Sequence, residues 1–370
     1  MTDVQSHIPQ TIPSLDGIRA LSVLIVVVAH AGLGELVPGG LGVTIFFFLS
    51  GYLITTLMLA ESERTGKINV LNFYARRIFR LMPPLFVTLA IAYSLTYYGL
   101  LPGSITVKGL SAQVFYFANY YSIFFDRGNT VPEGTGILWS LAVEEHFYIF
   151  YPLFMTALLA SGFRSRTIAM LLGLGCFVIL AWRIHLVQSP DFVPYRTYYA
   201  SDARIDSIIY GCILALVLNP TRNLNKADVM SSWQWATLIL SLSALLLTLI
   251  YRDISFRETL RYSLQGLALI PIFYLAIRFY TNPLFRPLNS RWVVKLGIYS
   301  YAIYLIHHVV INVITANIPD PAAKFYTIFP TALLISIVFA MGIDRFVDPY
   351  FRNLRGKFRP KIASRNRRSG

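Results

Sequence analysis

Long apolar runs separated by short polar or basic stretches repeat along the whole chain. Ten of them, each roughly 15–24 residues, have the length and hydrophobicity of membrane-crossing helices. They lie at residues 16–34, 40–60, 83–101, 137–160, 168–188, 204–219, 233–251, 261–280, 296–316 and 327–346. The pattern predicts an all-α, polytopic integral membrane protein of about ten transmembrane helices. One membrane domain would cover residues 1–350, followed by a basic cytoplasmic tail over 351–370. No internal repeat is visible, and no soluble domain is expected at either end.

Composition agrees with the pattern. Apolar residues fill 55% of 370 positions and charged ones 14%, against about 25% charged in soluble domains. Too little polar surface is left to clothe such a core in water. With the N-terminus inside, the cytoplasmic loops and tails hold 23 of the 32 lysines and arginines, the positive-inside arrangement. Residues 110–125 (LSAQVFYFANYYSIFF) are nearly long enough to span. Counting them as an eleventh helix flips everything that follows and leaves only 13 or 14 basic residues inside. They read better as an interfacial segment with aromatic rings at headgroup level, which keeps both termini cytoplasmic. The net charge of +14 then needs no nucleic acid. Much of it lies in Arg352–Arg368, a polybasic stretch near anionic lipid, where each cation is worth ~1 kcal/mol. Cys176 and Cys212 fall inside apolar segments and read as buried small hydrophobes, neither a disulfide framework nor a metal site.

The first apolar run, LDGIRALSVLIVVVAH (15–30), carries three ionisable residues. A cleaved signal peptide ending at Ala29-His30-Ala31 is the bland alternative; its n-region is nearly uncharged and another span follows at once. As a helix, the run takes Ser14 as N-cap, with Asp16 at the positive end of the dipole and Arg19 within ion-pairing reach. Arg19 and His30, eleven residues apart, share a face and stand ~16 Å apart along the axis. Such a stripe faces protein or water, and intramembrane ionisable residues are functional candidates. Counting inward along the fourth segment places Glu144 roughly 10 Å below the outer edge, about the depth of His30. Glu145 points about 100° away, so one of the two carboxylates is expected in a shared cavity. Asp202, Arg204 and Asp206 open the sixth segment. Ser300, Tyr304, His307 and His308 run along the ninth, where interhelical hydrogen bonding or interface anchoring explains Tyr304 and His307 equally well. His30 with a carboxylate at matched depth has the form of a general base and its orienting partner.

Before the third segment, FYARRIFRLMP sets Arg76, Arg77 and Arg80 together, beside Arg19. A positive-inside loop supplies such charges in any case. Guanidinium forks nevertheless suit phosphate, and phosphate-binding arginines inside with a histidine further out imply a long, thin ligand entering from the cytoplasm, the shape of acyl-coenzyme A. A transporter or flippase of a glycan or glycolipid is the rival of another class, since it too needs polar groups in the membrane. The missing inverted repeat counts against it.

At these residues the chain resembles the acyltransferase 3 family of integral membrane proteins. The likeness rests on Arg19-x10-His30 within LDGIRA, on GVTIFFFLSGYLI (42–54), FYARRIFRLMP (73–83), LWSLAVEEHFY (138–148) and YAIYLIH (301–307). His146 stands where glutamine is usual. The resemblance implies transfer of an acyl group, acetyl above all, from cytoplasmic acyl-CoA to a hydroxyl of a cell-surface or exported carbohydrate, in the bacterial cytoplasmic (inner) membrane. Acylation of a small secondary metabolite such as a macrolide is the alternative. It further implies His30 as general base or transient acyl carrier and Glu144 as its orienting partner. Arg19, Arg76, Arg77 and Arg80 would hold the coenzyme A phosphates, with Asp16 positioning Arg19. Ser50, Trp139, Ser140, Glu145, Asp206, Tyr304 and His307 would lie on the substrate side or brace the polar core. The expected partners are membrane lipid and the carbohydrate acceptor, with a homodimer left open as the assembly and no metal. Some members carry a C-terminal soluble domain that these residues lack, so the membrane domain or a partner is expected to complete transfer.

Overall fold

The computed structural model describes residues 12–126, 130–223, 229–317 and 324–358. Among them the regular structure is helical. Helix α1 (Leu15–Val28) continues into a single wide π-turn at Ala29–Leu33, where Gly32 takes a left-handed φ of 118°. Helix α2 (Gly39–Thr65) runs back beside it, and α3 (Val70–Tyr97) follows. Two short helices, α4 (Val107–Val114) and α5 (Ala118–Phe124), precede α6 (Trp139–Ala160) and α7 (Ser165–Val187). The small α8 (Pro194–Tyr199) and α9 (Ser201–Arg204) lead into α10 (Asp206–Val217). Then come α11 (Ser232–Ile250), α12 (Ile254–Glu258) and α13 (Leu260–Arg278). The chain closes with α14 (Arg291–Asn317), α15 (Lys324–Gly342) and α16 (Asp348–Gly356), a second π-turn at Ile343–Val347 linking the last two.

Eight stretches among the described residues are long and apolar enough to cross a membrane. The other two predicted segments also fold as helices. One is α6, whose apolar run is interrupted by Glu144, Glu145 and His146; the other is α10, of 12 residues. The chain is an all-α, polytopic membrane protein.

Local chemistry explains where the helices depart from the predicted segments. The third begins at Val70 rather than near 83, because the Asn69 side chain accepts from the Asn72 amide at 2.9 Å and starts the helix early. Pro83 and Pro84 therefore lie inside α3, where each removes a backbone donor and loosens the turn behind it. Arg76, Arg77 and Arg80 are consequently helical. Ser14 does not cap α1: its hydroxyl donates to the Ala276 carbonyl at 2.7 Å, while its amide donates to Asn289. The 110–125 segment breaks at Tyr116, whose φ is +59°, into two helices too short to cross. The last helix does not stop at 346. It passes through the π-turn into α16, where Phe79 stacks on Phe351 and Phe358. A boundary at 350 thus falls inside a helix, and residues 359–370 of the expected tail lie outside the described residues.

Helix α1 packs against both α2 and α14, and α2 against α10. The α2–α10 contact is made by backbones. A Cβ on Gly51 would sit 1.9 Å from the Ile208 carbonyl oxygen, and one on Gly211 would sit 1.9 Å from that of Phe48. Small residues that let helix backbones touch are the main adhesive between helices in lipid. Gly211→Leu is expected to cost about 2 kcal/mol or more by overpacking and to lower the melting temperature in detergent. Gly173→Leu, at an α7 position with open space around it, should melt with the parent protein. Equal melting of the two variants would disprove the close approach.

Candidate active site

A cavity of about 460 Å³ opens between α1, α2, α3, α6, α14 and α16. Along α2 it is lined from Val43 to Glu61, a rise of eighteen residue steps or about 27 Å of helix, so it is long and narrow. One end is cationic: Arg19, Arg76, Arg77, Arg80, Arg352 and Arg355 all line it. The rest is walled by Phe46, Phe47, Leu53 and Ile54 with the hydroxyls of Ser50, Ser140, Tyr148 and Tyr304.

The arginines differ in what holds them. Arg19 bonds Asp16 at 2.5 Å, the i,i+3 pair expected on α1. Arg76 lies 3.2 Å from Glu61 and donates to the Phe358 carbonyl at 2.6 Å. Arg77 is clasped hardest: its Nε is 3.0 Å from Glu145 and a terminal nitrogen 3.9 Å from Glu144, with the Tyr148 ring centroid 3.2 Å from its guanidinium carbon. Arg355 pairs with Asp348 at 2.6 Å. Among the described residues Arg80 and Arg352 make no ion pair, so their forks are open to an anion. Glu144 lines the cavity and takes a 2.7 Å bond from Ser50, while Glu145 does not line it, as the 100° offset requires.

His30 occupies the π-turn beyond the far end of this cavity. Its Nδ1 lies 2.9 Å from His307 Nε2, and the His308 ring centroid is 4.3 Å away. His307, wholly buried, turns its Nδ1 to the carbonyls of Tyr304 and Ile303 at 2.7 and 3.2 Å. Carbonyl oxygens only accept, so His307 Nδ1 donates. A neutral imidazole that donates at Nδ1 accepts at Nε2. His30 Nδ1 therefore donates to His307, which leaves the lone pair of His30 Nε2 free to take a proton. Tyr304 joins the two regions: it lines the cavity, its hydroxyl shares a 2.6 Å bond with Ser140, and its ring lies 5.6 Å from that of His307.

The expected pairing of His30 with Glu144 is corrected by this arrangement. Helices α6 and α14 run antiparallel and meet at Ser140–Tyr304. Glu144 lies one turn inward of that bond and His307 one turn outward, which separates their levels by about 10 Å. The partner of His30 is His307. Of the residues expected on the substrate side or bracing the polar core, Asp206 and Trp139 lie outside the lining of the cavity. Asp206 is fully buried, 2.7 Å from the equally buried Arg183. Trp139 is 5% exposed and packs on Phe47, Tyr198 and Tyr199. Just before α10, burial works against ionisation of Asp202, but bonds from Arg196 and Trp182 hold its carboxyl below the usual range. His146 bonds Ser201 at 2.7 Å, away from the cavity. Sequence reasoning did not single out Glu61, Tyr148 and His308 as site residues, and it assigned Arg352 and Arg355 to a lipid-binding tail. The Arg-x2-Arg spacing beside Phe351 and Leu354 was the available signal of an amphipathic helix that docks.

The acyltransferase 3 sequence profile, described as an acyltransferase domain, matches residues 12–343. The chain belongs to the acyltransferase 3 family. Among similar proteins, one from Staphylococcus aureus (strain COL), named "Putative O-acetyltransferase SACOL0978", is 32% identical over 356 residues, which is 92% of this chain and 57% of that protein. The Staphylococcus aureus (strain NCTC 8325 / PS 47) protein named O-acetyltransferase OatA is 29% identical over 361 residues, 93% of this chain and 58% of its own. The acyltransferase 3 chain thus spans less than two thirds of the length of these relatives. No solved structure matches it.

Arg77 gives this acyltransferase 3 site a stability test. Arg77→Ala leaves Glu144 and Glu145 without their cation, and leaving one side of this partly buried pair unsatisfied costs about 1–3 kcal/mol. Adding Glu145→Gln to Arg77→Ala should recover part of that loss, because paired residues are non-additive. Thermal unfolding of the purified variants in detergent measures both. Strictly additive losses would mean that the pair is not coupled.

Proposed function

We propose that the protein is a membrane O-acyltransferase that moves an acetyl group from cytoplasmic acetyl-CoA to a hydroxyl of a cell-surface or exported carbohydrate, in a bacterial cytoplasmic membrane. One observation carries the reading: a narrow cavity starts among six arginines and ends within a helical turn of a histidine pair whose outer member has a free lone pair. Acyl-CoA is a polyphosphate with a long thin arm, and these walls suit it. Arg80 and Arg352 meet the phosphates as unpaired forks, with Arg76 and Arg19 beside them. The apolar walls exclude water from the arm, and the thioester comes to rest near Ser140 and Tyr304.

His30 Nε2 then accepts the proton of the acceptor hydroxyl. The hydroxyl oxygen attacks the thioester carbonyl, the C–S bond breaks, and the leaving thiolate takes the proton from His30. Through the transfer His307 holds the ring by accepting from Nδ1, and it shares the charge of the transient imidazolium. A carboxylate would stabilise that charge more strongly; a buried neutral imidazole fixes the tautomer and orientation without locking a permanent ion pair into the membrane.

Transfer of labelled acetyl from acetyl-CoA to glycan, in membranes with expression matched, tests the roles. His30→Ala should lower transfer by about 10²–10⁴-fold, the usual worth of a general base, with acetyl-CoA binding retained. His307→Phe should also cost activity, and adding it to His30→Ala should cost little more, as for residues acting as a unit. A loss below about tenfold in His30→Ala would rule out the base.

Orientation is tested separately. Cys176 and Cys212 are buried, so added cysteines report without removing them. An impermeant thiol reagent applied to intact cells should label Asp253→Cys and miss Ser161→Cys. The opposite result would invert the topology and place the arginines outside.

A further inference from the structure

A second cavity, of about 420 Å³, lies at the His30 end of the bundle, and none of the roles above uses it. Its wall begins at Gly34, one turn past His30, and includes Gly39 to Leu41 at the start of α2. The two cavities nearly meet on that helix, for Leu41 lines this one and Val43 the other. Between them sits Arg204.

Arg204 is wholly buried and has no carboxylate partner among the described residues. One terminal nitrogen donates to Thr44 at 3.2 Å; its Nε and other terminal nitrogen are buried without any hydrogen-bond partner. Its guanidinium carbon lies 3.9 Å from the centroid of Tyr262 and 5.3 Å from that of Tyr198, two rings that also line the second cavity. An unpaired buried cation is costly, and it projects positive potential into the neighbouring low-dielectric space.

Three more arginines line the cavity itself. Arg252 donates to the Glu35 backbone carbonyl at 2.8 Å. Arg261 lies 3.7 Å from Glu258, and its Nε is buried with no partner. Arg257 is exposed, and its side chain makes no ion pair or hydrogen bond among the described residues; only its amide is used, donating to the Asp253 carbonyl at 2.9 Å. The lining carboxylate of Glu35 does not balance these cations. Tyr251, which is exposed, and Tyr198, which is partly so, supply flat apolar faces beside them, while the Tyr262 ring is buried under Arg204 and Arg261.

We infer that this cavity binds the acceptor and that the acceptor is an anionic saccharide, carrying a carboxylate or phosphate near the hydroxyl that is acylated; this assignment of substrate class rests on the acyl-transfer reading above. Guanidinium forks bond carboxylate and phosphate oxygens in pairs, and the tyrosine rings pack against the apolar face of a sugar ring. The cavity wall starts at Gly34, four residues past His30, so a sugar bound here is placed at the His30 end of the bundle while the donor arm comes from the first cavity.

Binding to the purified full chain in detergent tests the inference with two matched probe pairs. One is oligogalacturonate against its carboxyl-reduced form, the other N-acetylglucosamine 1-phosphate against N-acetylglucosamine. In at least one pair the anionic member should bind about tenfold or more tightly, a difference of 1.4 kcal/mol, and the preferred pair tells carboxylate from phosphate. Arg257→Gln should abolish the preference and Arg257→Lys keep part of it, with melting temperatures unchanged because the side chain is exposed. Equal binding within both pairs, or a preference that survives Arg252→Gln with Arg257→Gln, overturns the inference. Acetyl transfer from acetyl-CoA, measured on the same samples, separates the two readings. Anion preference without any transfer upholds the cavity's specificity and sinks the acyl-transfer reading. Equal transfer to neutral and anionic sugars upholds transfer and sinks the specificity.

Discussion

Charge inside a membrane protein survives only where something answers it, and Arg77 shows how much of this bundle that rule organises. The guanidinium is met by Glu145, Glu144 and the Tyr148 face, which ties α3 to α6 at the wall of the arginine-lined cavity. Without that clasp two adjacent carboxylates would face apolar surroundings. With it, Glu144 can stand in the cavity wall and receive Ser50 from α2, so three helices are registered by one cation. The neighbouring arginines are graded by the same rule: paired where the wall is closed, and left open at Arg80 and Arg352 where space exists for an anion.

The histidine pair solves a different problem. The lone pair of His30 Nε2 stays available without being neutralised by the ring that supports it. His307 achieves this because its own Nδ1 is already committed to the Tyr304 and Ile303 carbonyls. Backbone groups of α14 thus dictate, through two rings, which nitrogen of His30 is free. The π-turn at Ala29–Leu33 matters here, since the widened turn carries His30 at the junction with the loop that walls the second cavity.

Much of this was legible in the sequence. The all-helical membrane fold, the Asp16–Arg19 pair and the gathering of Arg76, Arg77 and Arg80 follow from hydropathy and helical spacing, and the helices place them so. The partner of His30 did not follow. Depth counted from the predicted edge of each helix carries an error of about a turn, and two such errors span the two turns, about 10 Å, that separate Glu144 from His307. Only the cross-helix bond Ser140–Tyr304 sets the true register between α6 and α14. Docking of α16 was hidden for another reason. Its arginines look like any basic tail until Phe351 is seen against Phe79.

The reciprocal glycine contact between α2 and α10 has a mechanical consequence. Two backbones in van der Waals touch cannot approach further and cannot slide without collision, so this pair forms a stiff rib along one side of the arginine-lined cavity. The opposite side is compliant, because α3 carries Pro83 and Pro84 and is held at its basic end by aromatic stacking with α16. Any swelling of the cavity is therefore taken up by displacement of α3, while the rib holds the α2 wall in place.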